Sequence, residues 1–153
     1  MKYIAYGSNM VSSQMARRCP NAKLIGTGYI ECARLEFYLH ATVVRTKQKA
    51  DRVPVAVWEI NETDERNLDR YEEYPSYYIK QEWPAQLDSG KAVEGMIYLM
   101  RSIRLSPPDD YYYGCIRDAY AELGLGSQIK TVLEPALARA VDRDQSQPFV
   151  RCR

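Results

Sequence analysis

Two short segments carry residue types on which chemistry could be built, and the first is Tyr6-Gly7-Ser8-Asn9. It places a glycine hinge, a hydroxyl and a side-chain amide directly after a short β-prone run. A glycine-hinged loop between a strand and a helix points several backbone N–H groups the same way, which makes a cradle suited to a carboxylate. An ordinary strand-to-helix turn, with Asn9 capping the helix entry, explains the same residues without a ligand.

The second segment, residues 68–75, presents two adjacent carboxylates, Glu72 and Glu73. Neighbouring helix residues point about a third of a turn apart, so these two side chains cannot share a face as an acid/base pair. Leu68 is the best candidate for a core-facing residue, and Glu72 follows it by four positions. The spacing therefore predicts that Glu72 faces inward and that Glu73 lies on the solvated side.

An inward Glu72 at the negative end of a helix should have a raised pKa, because both desolvation and the helix dipole disfavour its charge. A carboxyl group tuned in this way is suited to general base catalysis. The structural alternative is a semi-buried carboxylate that accepts tyrosine hydrogen bonds. Its expected neighbours are the tyrosines of the same stretch, Tyr71, Tyr74, Tyr77 and Tyr78.

Cysteine and histidine offer less. No C-x-x-C spacing occurs, and a lone histidine cannot complete a tetrahedral zinc set, so we expect no metal site. We interpret His40 as a residue at a strand edge, and a catalytic Cys–His pair as the less favoured hypothesis. The residues concerned are His40, Cys19, Cys32, Cys115 and Cys152.

Length and composition bound the class of protein. The chain has 153 residues, 46% of them hydrophobic, which is the size of one ordinary domain with a real core. A formal net charge of +1 is far from the excess that phosphate backbones select, which argues against a nucleic-acid partner. The 13 tyrosines outnumber 2 phenylalanines and 2 tryptophans, which indicates a polar pocket inside an apolar shell.

The N-terminal residues lack the basic stretch, apolar run and cleavage site of a signal peptide. No segment approaches the roughly 18 apolar residues that a membrane span needs. We therefore expect a soluble, cytoplasmic protein with reduced thiols and no membrane partner.

The elements that must position these groups follow from periodicity and turn residues. Strands are predicted near residues 2–6, 24–30, 34–40, 53–60, 77–83 and 93–100, and helices near 12–18, 61–73, 112–123 and 129–141. Ser12 or Ser13 should cap the first helix, Asn61 or Thr63 the second, and Pro135 should kink the last or mark a fresh start. Residues 45–51 are interpreted as a basic loop, and 26–28 as a turn at a strand edge.

This layout predicts an α+β fold with a small, mainly antiparallel, barrel-like sheet and a few helices. It argues against a doubly wound parallel sheet, and with it against dinucleotide binding. We expect a single domain over residues 1–141 and a polar C-terminal tail over 142–153.

The Tyr-Gly-Ser-Asn loop, the strand at 55–60, and Leu68-Asp69-x-x-Glu72 followed by Tyr78 resemble the gamma-glutamylcyclotransferase family in order and separation. The resemblance runs from about residue 3 to residue 100 and extends to the helix that ends at about residue 123. It implies a barrel-like α+β fold and a cofactor-independent enzyme. The implied reaction cyclises a γ-glutamyl group to 5-oxoproline and releases the attached amine or amino acid.

Carried over by motif, the resemblance implies that Glu72 is the catalytic acid/base. It also implies that the loop residues hold the glutamyl moiety and that a tyrosine of the next strand lines the pocket; these residues are Tyr6, Gly7, Ser8, Asn9 and Tyr78. Members of the family usually have glycine where this chain has Glu73, so leaving-group preference is expected to differ. The short, basic segment between His40 and Val53 is a second reason to expect a different leaving-group preference.

Two further hypotheses accompany this one. The first is a non-catalytic barrel of the same fold that binds a small carboxylate metabolite or a peptide end. The second concerns assembly: Tyr111, Tyr112 and Tyr113 cannot all face one core, so together with the C-terminal helices they are a candidate homodimer surface.

Overall fold

Seven strands and four helices make up the described part of the chain, which is residues 1–146 of a computed structural model. The strands are β1 Lys2–Ala5, β2 Lys23–Glu31, β3 Ala33–Tyr38, β4 His40–Arg45, β5 Arg52–Glu59, β6 Tyr78–Leu87 and β7 Ala92–Met100. The helices are α1 Ser12–Arg18, α2 Glu62–Tyr71, α3 Asp110–Glu122 and α4 Glu134–Ser146. A 3₁₀ turn at Ser8–Met10 and a π-helical turn at Ile129–Leu133 complete the set.

Five strands close into a barrel in the order β1-β5-β2-β6-β7, and β3 and β4 form a separate two-stranded sheet. Every barrel contact is antiparallel except the closing one, where β1 runs parallel to β7 with Tyr3 opposite Met96. The α+β class and the mainly antiparallel, barrel-like sheet are confirmed.

The central strand is β5, which pairs with β1 on one side and β2 on the other. Residues 53–58 are all buried, and only Arg52 and Glu59 at the strand ends are exposed. A strand covered on both faces is uniformly apolar rather than alternating, which is why the sequence pattern identified this strand most clearly.

Gly28 makes the barrel closure sterically feasible. It lies inside β2 and faces Leu87 of β6, and a Cβ atom added at this position would lie 2.0 Å from the carbonyl oxygen of Gln86. The expectation of a turn over residues 26–28 was therefore wrong. Gly28 permits close approach between two strands that are distant in sequence.

The sequence pattern did not reveal β4. We expected one strand to end near His40 and a loop to begin at Arg45, whereas residues 40–45 fold back on β3. The connection is the single residue Leu39, which adopts a left-handed conformation with φ 73°. The glycine, asparagine and proline residues that are typical of hairpin turns are absent from this connection.

Helix starts depend on capping side chains in one case and not in another. Asn61 caps α2, accepting from the backbone N–H of Asp64 at 2.8 Å, and Asp64 reciprocates with the N–H of Asn61 at 3.1 Å. For α1 the expected serine cap was wrong: Val11 occupies that position and makes no side-chain cap.

The C-terminal helices cover the sheet. Helix α3 buries Ile116, Ala119 and Tyr120, and Pro135 lies in the first turn of α4, as expected for a fresh helix start. Helix α4 continues to Ser146, so residues 142–146, which we expected to begin the tail, are helical; 147–153 lie outside the described residues. Over residues 1–146, no helix combines the length and apolar character that crossing a membrane requires.

Candidate active site

A pocket of about 250 Å³ lies where the loop after β1 meets the end of α2, the start of β4 and the first turn of α3. Its walls are rich in phenol groups, as the tyrosine excess predicted. Seven tyrosines line it: Tyr3, Tyr6, Tyr71, Tyr77, Tyr78, Tyr98 and Tyr112.

Glu72 lies in the wall of this pocket because of the period of α2. Leu68 is fully buried, and Glu72, four residues later, caps the helix C-terminus and is half-buried. Glu73 is exposed at the pocket rim. The structure places both carboxylates on the sides that the spacing predicted.

The end of α2 adopts a geometry that usually requires glycine. The N–H of Tyr74 donates to the carbonyl of Asp69 at 2.9 Å, and that of Glu73 to the carbonyl of Arg70 at 3.3 Å. This is the hydrogen-bond pattern of a Schellman motif. Glu73 is the left-handed residue of the motif, with φ 52°. A charged side chain therefore occupies a backbone position that favours glycine.

Asn9 connects the N-terminal loop to Glu72. The Asn9 Nδ2 donates to Glu72 Oε1 at 3.1 Å and to the Tyr3 hydroxyl at 2.9 Å, while Arg18 Nη1 donates to Asn9 Oδ1. The alternative interpretation, in which Asn9 caps the helix entry, is wrong, because Gly7 and Val11 occupy the cap positions. Its side chain joins two segments that are 63 residues apart.

Burial raises the pKa of Glu72 to about 7, against an ordinary value of 4.5. The positive charge of Arg18 and the hydrogen bond from Asn9 both favour the carboxylate, but desolvation outweighs them. Near neutral pH the group therefore exchanges a proton readily, which is the property a general acid/base needs.

Tyr6 and Tyr78 both lie in the pocket wall and hold the start of β4 in place. The Tyr78 hydroxyl donates to the carbonyl of Ala41 at 2.8 Å, while that of Tyr6 donates to the carbonyl of Tyr98 at 2.5 Å and lies 3.3 Å from the carbonyl of Ala41. The Ala41 N–H donates to the Tyr112 hydroxyl at 3.1 Å. Burial raises the pKa of Tyr6 and Tyr78 well above the usual range, so they remain protonated.

Gly7 and Ser8 form the rest of the loop at the pocket. Ser8 is buried, and its Oγ lies 3.5 Å from the Tyr71 hydroxyl. The turn is closed by N–H donation from Met10 to Gly7 at 3.0 Å and from Val11 to Ser8 at 3.3 Å. The N–H groups of Ser8 and Asn9 precede these bonds and have no acceptor inside the turn.

His40 lies in the pocket, although the sequence predicted only a residue at a strand edge. Instead of an ordinary edge position, it lines the pocket, with Nδ1 2.6 Å from the Tyr77 hydroxyl and its ring edge-on to Tyr112. Burial lowers its pKa, so the ring is neutral at pH 7. None of the three cysteines among residues 1–143 lines this pocket, so the structure does not bring a Cys–His pair together there.

Ala41 and Tyr112 also line the pocket, and Arg18 adjoins it through its contacts with Asn9 and the Tyr71 ring; the sequence predicted a place at the pocket for none of the three. Each comes from an element whose local pattern is ordinary, and only the packing of α1, β4 and α3 around the loop brings them together. Throughout residues 1–143, no three or more His, Cys, Asp or Glu side chains are grouped so as to hold a metal ion.

Comparison with known proteins identifies the family. The family model described as gamma-glutamyl cyclotransferase, AIG2-like, matches residues 3–115, which include β1 except its first residue, all of β2 to β7 and the start of α3. A human protein named gamma-glutamylcyclotransferase is 27% identical over 134 residues, covering 80% of this chain and 71% of its own.

Solved structures show the same fold. A gamma-glutamyl cyclotransferase structure superposes with a TM-score of 0.78 at 24% identity, covering 88% of this chain and 86% of its own. The crystal structure of the uncharacterized protein loc79017 from Homo sapiens gives a TM-score of 0.73 at 23% identity, covering 99% and 90%.

Proposed function

The chain belongs to the gamma-glutamyl cyclotransferase, AIG2-like family, and from that premise we propose that it cyclises the γ-glutamyl group of a small substrate to 5-oxoproline. The attached amine or amino acid is released. In this proposal Glu72 is the general acid/base, and the Tyr6–Asn9 loop holds the glutamyl moiety.

The observation that carries the proposal is the state of Glu72. Its carboxyl lies in a tyrosine-lined pocket beside the loop, bonded to Asn9, with a pKa raised by burial to about 7. One residue then serves both proton transfers, since neither its acid nor its base form is strongly disfavoured at neutral pH.

The reaction needs no protein nucleophile. The α-amino nitrogen of the substrate attacks its own γ-carbonyl carbon, a five-membered ring forms, and the bond from that carbon to the leaving nitrogen breaks. The α-ammonium nitrogen loses two protons in becoming the lactam N–H, and the leaving nitrogen gains two in departing as an ammonium. Glu72 relays them in turn, so neither oxidant nor cofactor is consumed.

The rest of the site supplies geometry. Cyclisation requires the glutamyl chain to be held in a near-attack conformation, for which effective molarities of about 10⁵ M and above are known in well-oriented intramolecular reactions. We assign this role to Tyr6, Gly7, Ser8 and Asn9, with Tyr78 lining the pocket. Free N–H groups at the start of the Ser8–Met10 turn are suited to the substrate carboxylate or to the developing oxyanion.

The test is an assay of 5-oxoproline and of released amine on a panel of γ-glutamyl amino acids and γ-glutamyl amines. Glu72→Gln should keep the fold, measured by circular dichroism, and lose about 10³-fold in turnover. Glu94→Gln, which changes an exposed carboxylate on β7, is the matched control and should retain the wild-type rate. A Glu72→Gln protein as fast as wild type would show that the assigned role is wrong.

The same experiment addresses the non-catalytic barrel. If the folded protein turns over no member of the panel but is stabilised against heat by glutamyl ligands, the pocket binds without reacting. That result would replace the enzyme proposal.

A further inference from the structure

A cavity of about 280 Å³ lies in a part of the molecule that the proposed reaction does not use. We call it the arginine cavity. It is bounded by the start of β3, the segment that enters β5, the π-helical turn and α4, and it shares no lining residue with the pocket that contains Glu72. The lining residues with charged or hydrogen-bonding side chains are Arg34, Asp51, Arg52, Gln128, Thr131 and Arg139.

The three arginines come from three different elements and are restrained by carboxylates that lie outside the cavity lining. Glu36, whose side chain is 3% exposed, accepts from Arg34 Nε at 2.6 Å and lies 3.4 Å from Arg139 Nε. Glu31 pairs with Arg52 in the β2–β5 ladder and lies 3.6 Å from its Nη2. These contacts limit the movement of the guanidinium groups, and neither glutamate adds a negative charge to the lining itself.

Most of the N–H donors on these guanidinium groups have no acceptor in the protein. Within residues 1–143, neither the Nη atoms of Arg34 nor any nitrogen of Arg52 makes a hydrogen bond. Arg52 lies over the ring of Tyr29, 4.2 Å from its centroid, which leaves the donors in the guanidinium plane available. Arg139 uses Nε and Nη2, the latter to the carbonyl of Leu35 at 2.8 Å. Because each guanidinium group carries five donors, many remain for a ligand.

Donors on three separate guanidinium groups suit a phosphate group better than a carboxylate. A carboxylate has two oxygens, which the fork of a single arginine engages fully. A phosphate monoester presents three terminal oxygens and a charge of about −1.5 to −2 at pH 7. The side chains of the lining carry three positive charges and one negative charge, that of Asp51, so they match a dianion.

The other polar groups of the lining indicate what carries the phosphate. Gln128 and Thr131, beside and within the π-helical turn, add an amide and a hydroxyl. Such turns are rare and occur frequently at functional sites. Asp51 makes no ion pair with any side chain of residues 1–143, and its carboxylate can accept from hydroxyl groups but repels a second anionic group. A small cavity with these groups suits a short hydroxylated carrier.

We propose that the arginine cavity binds the phosphate group of a small hydroxylated phosphate monoester, of the size of a phosphorylated triose or polyol. Arg34, Arg52 and Arg139 donate to the phosphate oxygens, and Asp51 accepts from a hydroxyl of the carrier. Inorganic phosphate offers the same anionic group, and the experiment separates the two sources. The site is distinct from the pocket that contains Glu72, so this inference does not rest on the proposed function.

The test measures binding of glycerol 3-phosphate and of inorganic phosphate to the full chain by calorimetry, at constant ionic strength and pH 7.5. Glycerol and succinate control for the carrier and for a dicarboxylate. Wild type should bind glycerol 3-phosphate more tightly than inorganic phosphate, and neither control should bind in the same concentration range.

Arg52→Gln should weaken both phosphate ligands by roughly 10-fold, as the loss of a charge-assisted hydrogen bond implies. This residue is the first choice because it is exposed and the substitution breaks only the 3.6 Å contact with Glu31 and the ring contact with Tyr29. Arg117→Gln, which removes an exposed positive charge on α3 outside the cavity, is the matched control and should bind as wild type does.

Two further variants separate recognition from structural damage. Arg52→Lys should keep part of the affinity, because lysine retains the charge and loses the fork. Asp51→Ala should tighten binding of inorganic phosphate, since a negative neighbour is removed, and should abolish the advantage of glycerol 3-phosphate over it. A damaged cavity would bind both ligands more weakly.

Equal affinity of wild type for the two phosphate ligands, reduced in Arg52→Gln, would support the phosphate site and assign it to inorganic phosphate. Absence of binding by both ligands, equally tight binding of succinate, or an unchanged affinity in Arg52→Gln would overturn the inference. These measurements do not involve turnover, so their outcome is independent of whether a γ-glutamyl substrate reacts beside Glu72.

Discussion

Glu36 on β3 and Glu72 after α2 are both withdrawn from water, and their surroundings differ. Glu36 is 2% exposed and meets two guanidinium groups, with Arg34 Nε at 2.6 Å and Arg139 Nε at 3.4 Å from Oε1. Arg139 also donates to the carbonyl of Leu35 at 2.8 Å, which joins α4 to β3. Glu72 has one neutral donor, Asn9, while Arg18 bonds to the amide rather than to the carboxylate.

The difference separates structural from chemical use of a carboxylate. At Glu36 the desolvation cost is offset by opposite charge, and the product is a fixed contact between a sheet and a helix. At Glu72 desolvation prevails, and its pKa is near neutrality. Incomplete compensation is what makes a group able to exchange protons at physiological pH.

The largest difference between Glu72 and Glu36 is expected in the effect of their substitution on turnover. Glu72→Gln is expected to lose about 10³-fold, whereas Glu36→Gln, assayed where it is folded, should remain close to the wild-type rate. Wild-type kcat/KM should rise with pH through about 7, because the base form of Glu72 is the carboxylate. Equal losses of turnover in the two variants would show that Glu72 has no chemical role that Glu36 lacks.

Substitution of Glu36 should lower the stability of the fold, whereas substitution of Glu72 should not. Glu36→Gln leaves Arg139 without its charged partner and should lower the free energy of unfolding by about 2 kcal/mol, measured by urea denaturation at pH 7. The matched control is Glu31→Gln, which breaks the more exposed Glu31–Arg52 pair at 3.6 Å and should cost well under about 1 kcal/mol. Similar losses of unfolding free energy in the two variants would mean that the buried ion pairs of Glu36 stabilise the fold no more than an exposed pair does.

Glu72→Gln should stabilise the protein, and only at higher pH. Below about pH 4.5 the carboxyl is protonated in both folded and unfolded chains; between 4.5 and about 7 only the unfolded chain ionises, which disfavours folding. The full penalty applies above pH 7 and amounts to roughly 1–3 kcal/mol for a half-buried group. Urea denaturation of both proteins at pH 4 and pH 8 measures it, and a gain of equal size at both pH values would argue against the raised pKa.

The smallest expected effect concerns the neighbour of Glu72. Glu73→Gly relieves a left-handed non-glycine residue and should raise the free energy of unfolding by roughly 0.5–1 kcal/mol, measured by thermal denaturation. Turnover should persist, while relative rates across leaving groups should change because a carboxylate leaves the pocket rim. Identical relative rates before and after the substitution would show that Glu73 has no part in preference.

The sequence predicted correctly the structural features that depend on interactions between residues close together in the chain. The period of α2 predicted which carboxylate faces inward, and the apolar run at 53–58 predicted a buried strand. Asn61 was correctly one of two candidate caps. Where a structural feature depended on a distant partner, as with Gly28 against Gln86 or β4 against β3, the local pattern was ordinary and the prediction failed.

By itself, then, the sequence determined the α+β class, the inward orientation of Glu72 and the presence of a loop at Gly7–Asn9 between β1 and α1, because helical period, burial and turn residues act over a few positions. Tertiary structure decided which groups meet. Asn9 lies 63 residues from Glu72, and the Ala41 N–H reaches a hydroxyl 71 residues away. Closure of the barrel makes those contacts, and no local pattern encodes the partner of a side chain that is distant along the chain.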